Sequence, residues 1–133
     1  MAKSKIEQRG NVQSLGLLLY GQVEIKERVN QDDELIRELT LKGYERHSKK
    51  EADGSFTNLE STFYTVVCGD EEIISCAPLL CRGLKVRVSG KLSDHSFRGR
   101  DGKERVVHRI DATDIAVDLG QSALRQIVLK SAA

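Results

Sequence analysis

The chain has 133 residues, 39% hydrophobic and 31% charged, with 21 Lys and Arg against 20 Asp and Glu. That is the length of one domain with enough apolar residues for a core, and a net charge of +1 excludes a chain kept disordered by its own charge. Mean hydropathy is −0.38, no apolar run reaches the roughly 18 residues of a membrane span, and the start Met1-Ala2-Lys3-Ser4-Lys5-Ile6 lacks an apolar secretory segment. The expectation is a soluble, cytoplasmic protein without a membrane partner. Cys68, Cys76 and Cys81 cannot all pair within one chain and are read as reduced thiols.

In chain order, Leu15 to Gly21 is a short apolar run that predicts a first strand continuing towards Ile25. Asn30 to Asp33 is a polar turn. From Leu35 to Tyr44 the residues alternate, which predicts a strand with Leu39 and Leu41 inward and Lys42 and Tyr44 outward. Lys49 to Ser55 is a loop with an Asp53-Gly54 turn signal. Thr62 to Cys68 is β-branched and aromatic, hence strand. Asp70-Glu71-Glu72 places acids where a helix begins, Pro78 shortens that helix, and Arg82-Gly83 ends it. Leu84 to Leu92 alternates again, with Val86, Val88 and Leu92 on one face and Lys85, Arg87, Ser89 and Lys91 on the other. Phe97 to Lys103 carries the glycines of a hairpin loop, and Arg105 to Ile115 returns as strand. From Gln121 to Ala133 the spacing of Leu124, Ile127 and Val128 is helical, but a final strand fits as well.

This order predicts an all-β fold, a five-stranded Greek-key barrel of the OB type with one short helix between the third and fourth strands. Residues 1–14 are read as an N-terminal extension, 15–119 as the domain and 120–133 as a C-terminal segment.

The near-neutral total hides an uneven distribution of charge. Residues 82–109 hold nine bases (Arg82, Lys85, Arg87, Lys91, Arg98, Arg100, Lys103, Arg105, Arg109) against three acids. Such a segment tracks a phosphate backbone or is simply a solvated hairpin; charge alone gives the two equal weight. Catalysis has little support. The cysteine spacing lacks the CxxC pairs of zinc sites, His47, His95 and His108 have no ligand spacing, and no phosphate-cradling glycine loop occurs. No cofactor or metal is expected.

Ser61 to Cys68, then Arg82-Gly83-Leu84-Lys85-Val86-Arg87-Val88-Ser89-Gly90-Lys91-Leu92, then Ser96 to Arg105 and Ile110 to Ile115, resemble in order and spacing the bacterial single-stranded DNA-binding protein family. Leu39 to His47 and Leu17 to Gln22 resemble that family's first two core strands, so the match spans roughly 15–119, with wording closest to the actinobacterial branch. The resemblance implies sequence-independent binding of single-stranded DNA in replication, recombination and repair. It also implies a homo-oligomer, a tetramer or dimer of dimers, and a cytoplasmic, nucleoid-associated location. Bases stack on aromatics while Lys and Arg follow the phosphates.

Carried over by position, the family's stacking aromatics fall on His47, Phe63, Gly69 and Phe97, with Tyr44 and Tyr64 as compensating candidates for the glycine. Lys42, Arg46, Lys85, Arg87, Arg98 and Arg105 are the phosphate candidates. Without the resemblance, Phe63 and Phe97 read first as core residues and the basic face as the wet side of a sheet. Phe56 is read in the polar loop, as a stacking residue or an anchor, and Tyr20 in the barrel or an interface. The family's acidic tail tip, which recruits replication and repair proteins, is absent from Val128 to Ala133. The alternatives are a primosome-type or RNA-binding relative of the same fold, and a barrel kept as a protein-interaction module.

Overall fold

The computed structural model describes residues 5–121. In chain order the elements are β1 (Lys5–Leu19), β2 (Glu24–Val29), β3 (Leu35–Lys50), β4 (Phe56–Cys68), α1 (Glu71–Ser75), a 3-10 turn (Ala77–Leu79), β5 (Lys85–Arg98) and β6 (Glu104–Val117). The strands follow the order β1-β5-β6-β4-β3-β2, and β1 also pairs with β3. Five strands therefore close a ring, and β2 lies outside it on β3. All pairings are antiparallel except β4 with β6, where Tyr64 lies beside His108. This is the expected all-β barrel, with the helix between β4 and β5.

Alternation accounts for the core. Leu17, Leu19, Leu39, Leu41, Val66, Cys68, Val86, Val88 and Ile110 point inward, while their strand neighbours point out. Ile74 of α1 and Leu80 plug one end. The helix is short but well anchored. Asp70 caps it by accepting from the Glu72 amide at 2.9 Å, and Arg37 of β3 donates to Glu71 at 2.7 Å.

Strand bounds differ from the expectation in three places. The first apolar run does not continue to Ile25: the chain breaks after Leu19, Gly21 adopts φ +74°, and β2 starts at Glu24. β1 begins at Lys5, inside the stretch read as an extension, because residues 5–12 find a pairing partner in β5, from Lys5 against Ser96 to Val12 against Gly90. Phe56, placed by sequence in the loop, is the first residue of β4 and faces Lys50. Polar pairing strands have no apolar alternation to reveal them. Leu124, Ile127 and Val128 lie outside the described residues.

The first half of β1 is fastened by a buried carboxylate. Asp94 of β5 accepts from Nδ1 of His108 at 2.7 Å and from Nη1 of Arg9 at 2.9 Å. The Tyr64 ring packs against His108, with centroids 5.8 Å apart. The hydrogen bond from His108, with the positive charge of Arg9 adding to it, holds the Asp94 carboxyl below its ordinary value despite burial.

Two expectations follow. Gly90 sits at a register shift where an added Cβ would press on the Asp111 carbonyl and lie 2.8 Å from the Ala112 Cα. Gly90→Ala should lower stability by about 1–3 kcal/mol in urea unfolding. Because the Asp94 carboxyl is depressed in the fold, its stabilisation is present at neutral pH and lost as pH falls below the unfolded value of about 3.9. Asp94→Asn should lower stability at pH 7 by about 1–3 kcal/mol and flatten the acid limb of the stability–pH curve.

Candidate nucleic-acid interface

Directly opposed residues on neighbouring strands share a face of the sheet. Tyr44 opposes Phe63 across β3 and β4, and Leu18 across β3 and β1; Leu18 in turn opposes Lys85. Tyr44, Phe63 and Lys85 thus stand together on the outside of the barrel, where β1 meets β3. Lys42 opposes Thr65, and Thr65 lies beside Arg109 of β6, which extends the same face.

At the centre is an aromatic trio. Phe63 meets Tyr20 edge-on at 5.4 Å between centroids and Tyr44 at 5.7 Å, and Tyr20 lies 6.0 Å from Tyr44. Phe63 keeps 53% of its surface in solvent. Burial in the trio pushes the Tyr20 phenol up from its ordinary value. Tyr20 therefore packs neither in the barrel nor alone; the break after Leu19 brings it onto the outer face, where its backbone amide donates to the Lys42 carbonyl at 2.9 Å. The available sequence signal was Gly21 directly after the run Leu17–Tyr20, which fits a break but carries no direction.

The other candidates divide. Tyr44, Arg46, Lys85, Leu18, Gly16 and Asp118 line one shallow groove. Phe97, 37% exposed, opposes Arg105 on the outer face of the β5–β6 hairpin, two residues beyond His95, and makes no aromatic contact among the described residues. Arg98 opposes Glu104 and so points to the opposite face from Phe97. His47 has the strand parity of Glu45, not of Tyr44: its Nε2 lies 2.8 Å from the Thr62 hydroxyl and 3.6 Å from Glu45. Tyr64 packs on the core side of β4, and burial, with Glu45 and Asp94 nearby, pushes its phenol up.

Arg87 donates to Asp118 at 2.9 Å and Arg105 to Asp101 at 3.2 Å. Lys42, Arg46, Lys85 and Arg98 form no ion pair among the described residues. Arg109, not singled out from sequence, is tied to Asp111 at 2.9 Å. Gly69 is exposed, and a side chain there would meet open space.

A second, apolar groove lies between β2 and the 3-10 turn, lined by Val23, Ile25, Pro78 and Leu80, and takes in none of these candidates. Among the described residues no three His, Cys, Asp or Glu side chains gather as a metal site, and no helix is long and apolar enough to cross a membrane. The three cysteines are free thiols: Cys68 is buried in the core, and Cys76 and Cys81 are exposed.

No protein-family model matches the chain, and no curated protein sequence matches it. Solved structures do. The small single-stranded DNA-binding protein from Streptomyces coelicolor superposes with a TM-score of 0.55 at 19% identity, over 90% of this chain and 94% of that one. The Plasmodium falciparum SSB in complex with ssDNA gives 0.59 at 13% identity, over 84% and 96%. A deletion mutant of the single-stranded DNA-binding protein from Thermus aquaticus gives 0.53 at 16% identity, over 86% of this chain and 52% of that one. At these identities the likeness is one of fold, and it makes the barrel an OB-type barrel like those of the three proteins.

Proposed function

We propose that the chain binds single-stranded DNA without sequence choice, as a non-enzymatic member of the bacterial single-stranded DNA-binding family, nearest in wording to the actinobacterial branch. One observation carries the reading: an aromatic trio on the outer face, with Tyr20 and Tyr44 half-buried and Phe63 exposed, stands among cations that have no ion-pair partner among the described residues. Aromatic faces accept any base, and Lys42, Arg46 and Lys85 take the phosphates around them. Phe97 and Arg105, opposed on the outer face of the β5–β6 hairpin, extend this surface, while Arg98 faces away from it. The three solved neighbours are single-stranded DNA-binding proteins, which supports the same ligand.

Protection of single strands in replication, recombination and repair, in the cytoplasm at the nucleoid, is the role this chemistry suits. A homo-oligomer belongs to the same reading. It is supported by the exposed Ile25, Val29 and Leu35, which share one face of the β2–β3 arm.

Titration of a fluorescent oligo-dT of about 35 nucleotides, beside a duplex control at low and high salt, tests the reading. Single-strand binding should weaken with salt and exceed duplex binding; no binding at low salt would leave the barrel a protein-interaction module. Phe63→Ala should weaken binding about 5- to 150-fold, the loss of one stacked base, with little change in melting temperature. Gly69→Tyr restores an aromatic where the family has one. It should tighten binding several-fold in the same titration, since the space around Gly69 is open.

A further inference from the structure

Three arginines near the proposed path already hold a carboxylate. Arg87 gives its Nε–H to Asp118 at 2.9 Å, Arg109 gives Nη2 and Nε to Asp111 at 2.9 and 3.1 Å, and Arg105 gives Nη2 to Asp101 at 3.2 Å. Each pair is partly solvated, with no side chain below 36% exposure. The placement of the acids is not random. Asp118 lines the groove that also holds Tyr44, Arg46 and Lys85, and Asp111 opposes Lys91 across β5 and β6. By contrast, Lys42, Arg46 and Lys85 around the trio have no ion-pair partner among the described residues.

We infer that Asp101, Asp111 and Asp118 are affinity-limiting residues of the single-strand site, which weaken its hold on the strand along β5 and β6 by occupying Arg105, Arg109 and Arg87. The inference rests on the proposed function. A phosphate reaching Arg87, Arg105 or Arg109 must displace a carboxylate of the same charge from the same N–H groups, so the arginine releases few counterions on binding. A phosphate reaching Lys42 or Lys85 displaces only water and salt. Because the pairs are solvated, each limits affinity modestly rather than blocking it.

The test uses the full chain and the oligo-dT titration repeated across a series of salt concentrations. Asp118→Asn, Asp111→Asn and the triple variant with Asp101→Asn are compared with Asp32→Asn. That control makes the same charge change in the β2–β3 turn, away from the trio. Each single variant should bind about two- to fivefold tighter. The slope of log affinity against log salt should steepen by about 0.7 for each arginine released. Asp32→Asn should leave the slope unchanged. If the wild type binds and the variants keep its affinity and slope, or bind more weakly because the carboxylates position the arginines, the inference is overturned. If Asp32→Asn matches Asp118→Asn in slope, net charge is the cause and the inference also falls. If the wild type itself fails to bind, the proposed function fails first. Matching melting temperatures show that the variants are folded.

Discussion

The barrel is closed by two residue pairs. Among the described residues β1 and β3 pair in register at Leu18 with Tyr44 and Leu19 with Gly43, and these two pairs turn an open sheet into a ring. The approach is close enough that a Cβ on Gly43 would lie 3.0 Å from the Leu17 Cβ. A missing side chain at position 43 therefore sets how tightly the seam shuts. The same seam brings Tyr20 over Tyr44 and Phe63 and sets Lys85 two strands from Tyr44 across Leu18. Closure and site construction are one event: the contacts that complete the core also assemble the aromatic surface.

This dependence explains what the sequence could disclose. Leu39, Leu41, Val86 and Val88 alternate with polar neighbours, and burial makes alternation a strong signal, so β3 and β5 were legible. Asp70, the two glutamates after it and Pro78 punctuate the chain by local chemistry, so the helix and its turn were legible too. The first half of β1 was not. Its residues are mostly polar, with only Ile6 and Val12 apolar, and its strand character comes from a partner some 80–90 positions away.

At the site, Tyr44 was legible as an outward residue because strand parity is local, and Phe63 was a candidate through the family resemblance. Tyr20 was not, because its direction depends on a glycine turn and a distant seam. The shift of His47 to the opposite face has the same root. Position-by-position transfer counts residues, whereas the face a residue occupies is set by parity from the core outward, and Leu39, Leu41 and Gly43 set that parity for His47. The pairing of Arg87, Arg105 and Arg109 is a different kind of omission. Arg105–Asp101 and Arg109–Asp111 are close in sequence, but Arg87 and Asp118 are 31 positions apart and meet only through β5–β6 register. A count of bases cannot separate free cations from occupied ones.

The pairing of β1 with β5 bears on how the chain is made. Lys5 and Ser96, the outermost partners, are separated by most of the domain. Contacts of such span form slowly, because a long loop must close before any pairing energy is returned. On a ribosome adding about 5–20 residues per second, β1 emerges several seconds before β5 exists. An apolar strand waiting that long with both edges open would be an aggregation hazard. The Lys5, Glu7, Gln8, Arg9, Asn11 and Gln13 side chains of this half-strand keep it solvated until its partner arrives. The polarity that hid the strand from sequence reading is what lets it wait, once synthesised, for a partner made much later.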